Sequence, residues 1–195
     1  MLVTVDANAK INLTLDILGK RPDGYHEVAM VMQEISLADR LCLEKAPAGI
    51  CLKLDVPGLP TDQRNLAWRA ARLIMDKYHI GGVKIELQKR IPIAAGLAGG
   101  SADAAGVLRG MNELFGLDLT AAELCSLGAQ LGSDIPFCIM GGTMLAAGRG
   151  EMLKRLPPLP ECFVVLAKPP ISVSTAWAYQ HYDLLGADRH PDNEA

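Results

Sequence analysis

The sequence carries no run of basic residues. Its 195 residues hold 19 Lys and Arg against 22 Asp and Glu, a formal net charge of −3. That balance argues against nucleic acid as the main partner. No apolar stretch is long enough to span a bilayer, and no signal peptide opens the chain. The five cysteines, Cys42, Cys51, Cys125, Cys138 and Cys162, are odd in number and fit no zinc spacing. Most sit in apolar runs as small hydrophobes, so the expected compartment is a reducing cytoplasm, with no membrane attachment. Internal repeats and low-complexity tracts are also absent. Half of the residues are hydrophobic, enough for one generous domain, or one domain and part of another. An anionic ligand of such a chain has to be held by backbone amides and a few placed cations.

One stretch offers those amides. From Ile91 to Ala105 almost no side chain is bulky, so the backbone can approach a ligand closely. Val83, Ile85 and Leu87 alternate with polar residues before it, which predicts a strand over 83–88. Ala104, Ala105, Leu108, Met111 and Phe115 recur at helical spacing after it, and Gly116 stops the run. A glycine-rich loop that opens a helix suits phosphate, because the first amides are unpaired and the helix dipole is positive there. The alternative is that small residues simply let a helix pack tightly on a strand. The loop is not the common P-loop, since no Lys follows its glycines, and the G-x-G start of the dinucleotide fingerprint is absent.

The rest of the chain reads as a mixed α/β order. Leu2–Val5 is a short strand and Lys10–Leu18 a second. In the second, Ile11, Leu13, Leu15 and Ile17 form one row, and Lys10, Asn12, Thr14 and Asp16 the other. Taken alone, the polar row is an ordinary solvated face. Residues 19–24 form a turn. Strands follow over 28–37, 41–43 and 50–54. Asp62 or Asn65 caps a helix that runs to Tyr78 and ends at Gly81-Gly82, with Trp68 a packing residue. Thr120 and Glu123 make a capping box for a helix to Leu131. Pro136 places Asp134 near the N-terminus of a short helix, where amides can orient its carboxylate, unless it is a plain cap. A hairpin joins 143–147 to 152–156 across Gly148-Arg149-Gly150. Three prolines, Pro157, Pro158 and Pro160, mark a boundary, so the expected domains are 1–156 and 157–195. Beyond it lie an apolar strand over 162–167, a last helix capped by Ser174 or Thr175, and a frayed polar end.

Four separated stretches together resemble one family. They are Ala9-Lys10-Ile11-Asn12-Leu13, Arg21-Pro22-Asp23-Gly24-Tyr25-His26, the loop from Pro92 to Ala105, and Leu131-Gly132-Ser133-Asp134-Ile135-Pro136-Phe137. Their order and spacing are similar to those of the 4-diphosphocytidyl-2-C-methyl-D-erythritol kinases, in the GHMP kinase superfamily, over residues 1 to about 182. The resemblance implies an α+β two-domain fold. Its first domain is ribosomal-protein-S5-like, with a left-handed crossover, and its second is ferredoxin-like. It implies transfer of phosphate from ATP, with Mg2+, to the 2-hydroxyl of CDP-methylerythritol, in the non-mevalonate route to isoprenoids. It also implies site roles. Lys10 and Asp134 are the catalytic pair. Asn12, Tyr25, His26, Thr175 and Tyr179 surround the cytosine end. ATP is lined by Asn65 and by Pro92, Ile93, Ala94, Ala95, Gly96, Leu97, Ala98, Gly99, Gly100, Ser101, Ala102 and Asp103, with Asn65 and Asp103 near the adenine. No residue is assigned as a protein ligand of a metal.

Two departures from the family pattern carry expectations. A methyl group at Ala98, where the broader pattern has Gly, predicts ordinary backbone angles there. Family chains continue through a complete second domain with a third glycine-rich motif. Here the chain stops soon after that domain's first strand and helix, which predicts weak activity and self-association. The competing readings are another GHMP kinase with a mevalonate-like, homoserine-like or sugar acceptor, a nucleotide-binding fragment with little activity, and an RNA-binding S5-like module. The acidic balance speaks against the last.

Overall fold

One long strand organises the sheet in the computed structural model, which describes residues 1–169, 171, 173 and 175–184. This strand, β2 (His26–Ala46), pairs antiparallel along one edge with β1 (Leu2–Lys20), from Leu2↔Glu44 to Lys20↔His26. Its other edge is shared. The end of β2 pairs with β4 (Gly82–Gln88) and its beginning with β5 (Thr143–Ala147), both antiparallel. Outside them lie β3 (Ile50–Leu54), parallel to β4, and β6 (Met152–Arg155), antiparallel to β5. The β3–β4 pair is parallel, so the chain between them crosses over, and α1 (Leu66–Tyr78) lies in that crossover. The remaining helices are α2 (Gly99–Phe115), α3 (Ala121–Gly128), α4 (Ile135–Met140) and α5 (Thr175–Tyr182).

The expected α+β class is what forms, but the long strands differ from their reading. The four pieces expected before residue 46 are two continuous strands. Ala7 and Ala9 are fully buried yet too small to announce a strand, and β-bulges at Asn8/Lys10 and Asn12/Thr14 break the period-two pattern. Those bulges also correct the facing of β1. Leu13 and Leu15 are exposed, whereas Lys10 and Asp16 of the polar row are buried, so that row is not a solvated face. The two rows are not kept either, since Asp16 and Ile17, neighbours in the chain, are both buried.

α2 lies across β1 and β2, with α1, α3 and α4 beside it. Its approach is close. A Cβ at Gly106 would stand 2.9 Å from Leu41 Cδ1, and one at Gly110 2.7 Å from Leu43 Cδ1. Leu41, Leu43, Ile85 and Leu87 of the sheet meet Leu108, Met111 and Leu114 of α2 in one dry core. Each such side chain contributes about 1.5–3 kcal/mol by leaving water. Asn65, rather than Asp62, caps α1. That helix ends earlier than Gly81-Gly82, at His79 in the left-handed conformation (φ 51°). α3 has the expected capping box but stops at Gly128, short of Leu131. The 143–155 hairpin forms as expected.

The apolar run over 162–167 forms no strand among the described residues. Phe163 and Val165 are almost wholly exposed. A strand needs a ladder partner, and none of the described strands pairs with this run. Ser174 and residues 185–195 lie outside the described residues. Thr175 is the first residue of α5.

Candidate active site

The glycine loop is built for backbone contact. Ala94 (φ 53°), Gly96 (φ 74°) and Ala98 (φ 57°) are left-handed, while Ala95 and Leu97 between them are not. Alternation of this kind turns successive amides toward one side and makes an anion-binding concavity. Ala98 is therefore not in ordinary angles. It is the N-cap of α2 in the left-handed region (φ 57°, ψ 27°), at a cost of about 1–2 kcal/mol for a residue with a Cβ. Its side chain makes no cap bond. The first amides of α2, from Gly99 onward, consequently have no side-chain acceptor and face outward with the positive end of a 17-residue helix. Pro92, Ile93 and Ala94 are exposed and Leu97 is buried. The loop is thus anchored at Leu97 and open at its tip. Ser101 and Ala102 lie in the first turn of the helix, and Ala102 N–H donates to the Ala98 carbonyl at 2.9 Å.

Asn65 is spent on structure. Its Oδ1 accepts from Ala67 N–H at 2.9 Å and its Nδ2 donates to the Pro60 carbonyl at 2.8 Å. It stays beside the loop because Leu66 Cδ1 comes within 3.7 Å of a Cβ placed at Gly100. Asp103 is 4% exposed and bonded to Lys89, so it lies beneath the loop instead of lining its mouth.

Lys10 joins the loop to β1. Its backbone N–H donates to the Leu97 carbonyl at 3.2 Å. Its ammonium, on a side chain 6% exposed, donates to Asn12 Oδ1 at 2.9 Å. Asp134 caps α4, and its carboxylate makes no cap bond. The expectation that helix amides fix its orientation is not met, which leaves both oxygens for another partner. Both groups act on Cys138. Burial, then the Asp134 carboxylate, pushes that thiol up to about 12, while Lys10 and Arg109 act in the opposite sense. The Tyr179 hydroxyl is also raised, by burial first and then by Asp134. Strand lysine, helix-tip aspartate and α5 tyrosine therefore share one neighbourhood, although they are far apart in the chain.

The other end of this neighbourhood is aromatic. The turn over 21–25 closes through Arg21 N–H to the Tyr25 carbonyl, 2.8 Å, and Tyr25 N–H to Asp23 Oδ1, 3.1 Å. It presents Tyr25 outward, with the Arg149 guanidinium 4.9 Å from the ring centroid. His26 turns the other way and stacks on Tyr179, with centroids 4.8 Å apart and planes 18° from parallel. Its Nε2 meets Asp183 Oδ1 at 2.7 Å, and Lys20 reaches Asp183 Oδ2 at 3.2 Å. His26 and then Lys20 hold the Asp183 carboxyl below its ordinary range. The structure thus brings Tyr179 to His26 and leaves Tyr25 open, with the two tyrosines on different partners.

Sequence reasoning missed Lys89, Asp39, Arg149 and Asp183. Asp39 had a signal, since a carboxylate inside the apolar stretch from Leu37 to Leu43 needs a buried cation. Arg149 and Asp183 had none, because both act across long chain separations.

Known proteins resemble this chain in sequence and in fold. Residues 65–142 match the GHMP kinases N terminal domain. The 4-diphosphocytidyl-2-C-methyl-D-erythritol kinase of Acetivibrio thermocellus is 52% identical over 98% of this chain and 68% of its own. The kinase of that name from Synechococcus sp. is 60% identical over 94% and 61%. A crystal structure of 4-(cytidine 5'-diphospho)-2C-methyl-D-erythritol kinase superposes with a TM-score of 0.73 at 38% identity, covering 91% of this chain and 63% of that one. A homoserine kinase from Cytophaga hutchinsonii, at 18% identity and a TM-score of 0.64 over 89% and 59%, shares the fold. The chain spans 61–68% of the length of these curated relatives. From this identity over nearly its whole length, the chain belongs to the 4-diphosphocytidyl-2-C-methyl-D-erythritol kinase family, within the GHMP kinases.

Proposed function

We propose that the chain is a small-molecule kinase that transfers the terminal phosphate of ATP to the 2-hydroxyl of 4-diphosphocytidyl-2-C-methyl-D-erythritol. The observation that carries this reading is the double role of Lys10. Its amide is bonded to the glycine loop, and its buried ammonium lies in the same neighbourhood as Asp134. Phosphoryl transfer needs positioning and charge neutralisation more than covalent help. Within the loop from Pro92 to Asp103, the amides between Ile93 and Ser101 cradle the phosphates. Asp134 accepts or orients the acceptor proton, and Lys10 offsets the charge that develops. Magnesium would arrive on the nucleotide, with phosphate oxygens and water supplying its ligands, so no carboxylate cage is required.

The acceptor's base sits at the aromatic end. Asn12 Oδ1 accepts from the Lys10 ammonium, which leaves the Asn12 amide N–H groups for the ring-nitrogen and carbonyl acceptors of cytosine. Tyr25 supplies one stacking face. His26 and Tyr179 supply the opposite wall, with Thr175 at the start of the helix that carries Tyr179. Residues 1–156 form the nucleotide-binding domain, and 157–195 begin a second. The cytoplasm is the compartment in which such a substrate and ATP meet, and no described helix is long and apolar enough to cross a membrane. The test is a kinase assay with ATP, magnesium and CDP-methylerythritol, run with competitors. Competition by CDP, with none by mevalonate or homoserine, is expected. Competition by those acceptors and none by CDP would replace the cytidine reading with that of another GHMP kinase.

A further inference from the structure

Three buried charged side chains from three elements meet beneath the glycine loop. Lys89 follows β4, Asp39 lies within β2, and Asp103 is in the second turn of α2. Their side chains are 7%, 0% and 5% exposed. The Lys89 ammonium donates to Asp103 Oδ2 at 2.6 Å and to Asp39 Oδ2. The second oxygen of Asp39 accepts the backbone N–H groups of Arg90 and Ile91, the latter at 2.8 Å. Those two residues lead into the loop, and Asp103 belongs to the helix that leaves it. One ammonium therefore fastens both ends of the loop to the central strand.

The cluster is not balanced. Two carboxylates share one cation, so full ionisation leaves a buried net charge of −1. Asp103 Oδ1 is buried and has no hydrogen-bond partner among the described residues. A dry, unpartnered carboxylate oxygen beside a second carboxylate disfavours ionisation. Accordingly Asp103 is pushed up to about 7, by burial first and by Asp39 as well, against the pull of Lys89. Among the described residues no second cation pairs with either carboxylate. Arg109, further along α2, donates instead to the Asp6 carbonyl at 2.9 Å, and β1 approaches α2 through the apolar Val5 and Ala7.

We propose that Asp39, Lys89 and Asp103 are the positioning residues of the nucleotide loop, and that one proton on Asp103 sets how tightly the loop holds a polyphosphate. The inference rests on the reading of this loop as the ATP site. With the proton on, the cluster is neutral and the N-terminal amides of α2 face the phosphates with no opposing charge below. With the proton off, a carboxylate in the second turn of the same helix repels the phosphates and offsets the helix dipole. Nucleotide affinity consequently falls as the pH rises through neutrality.

The test is calorimetric titration of the chain with ATP and magnesium at a series of pH values on both sides of neutrality, for the native chain and for Asp103→Asn. The amide has the shape of the acid and cannot ionise. In the native chain the Kd for ATP is expected to rise by at least about threefold over this range. In Asp103→Asn it is expected to stay near its acid-side value. The titration of ATP itself is common to both proteins and cancels in the comparison. Lys89→Met should weaken ATP binding at every pH by about tenfold or more, with the affinity for CDP-methylerythritol as the control for a general loss of fold. The same pH dependence in both proteins, or none in the native chain, overturns the inference and leaves the nucleotide site standing. No ATP binding at any pH overturns the nucleotide reading of the loop, and the inference with it.

Discussion

Two residues, Lys10 and Asp103, show how burial redirects chemistry that composition alone describes as surface charge. Asp103 has a consequence for stability that is separate from ligand binding. Its value of about 7 in the folded protein lies above the ordinary 3.8 of the unfolded chain. The folded state therefore holds a proton that the unfolded state has released. The stability due to this group is complete below the unfolded value and is lost as the pH rises through about 7. The thermal midpoint should fall by about 3–6 °C across neutrality, and Asp103→Asn should remove most of that fall. Identical slopes in scanning calorimetry of the two proteins would contradict the assignment. Single residues were also where the sequence was least legible. Lys10 was found through its motif, but its row read as a solvated face until the bulges in β1 turned it inward. Ala98 was misread for a physical reason. A methyl group disfavours the left-handed region by only about 1–2 kcal/mol, and a loop held at Leu97 and by the Asp39 bonds overrides that preference.

At the scale of elements, what is local was legible and what is long-range was not. The capping box at Thr120, the 143–155 hairpin and the helix after the loop depend on neighbours a few residues apart, and all three formed as read. The continuity of β1 and β2 depends on pairing that starts 6 positions apart (Lys20 with His26) and reaches 42 (Leu2 with Glu44), most of it beyond any short window of sequence. The docking of α5 is of the same kind, made by Tyr179 on His26 and by Asp183 on His26 and Lys20. That docking leaves Tyr25 as the open ring of the β1–β2 turn, and the two walls can be tested apart. Tyr25→Ala should weaken CDP-methylerythritol binding by about 1–3 kcal/mol, the value of one stacked base, with ATP affinity nearly unchanged. Tyr179→Ala should weaken the same substrate and also release His26. An unchanged substrate Kd in Tyr25→Ala would remove the stacking role.

At the scale of the whole molecule, several large apolar side chains have no cover among the described residues. Leu13, Leu15 and Leu18 of β1 are exposed, as are Phe163 and Val165 beyond the prolines. Exposed apolar side chains in such number favour association. The isolated chain is therefore expected to self-associate, with light scattering after size exclusion giving a mass above the 20.9 kDa of one chain. A sharp monomer at that mass would show that this apolar surface is stable in water. Association through Phe163 and Val165 is separable from the proposed catalytic groups, because the loop, Lys10 and Asp134 all lie before Pro157. The central claim is that one strand links a phosphate loop to a catalytic pair. Its most direct measurement is the single-turnover rate of phosphate transfer to saturating CDP-methylerythritol in the native chain, Asp134→Asn and Lys10→Ala, with substrate affinity determined alongside. Each substitution should lower the rate by at least about a hundredfold, the scale of acid–base and electrostatic groups, while substrate affinity changes much less. A near-native rate in Asp134→Asn, or no transfer to this acceptor by the native chain, would contradict the account.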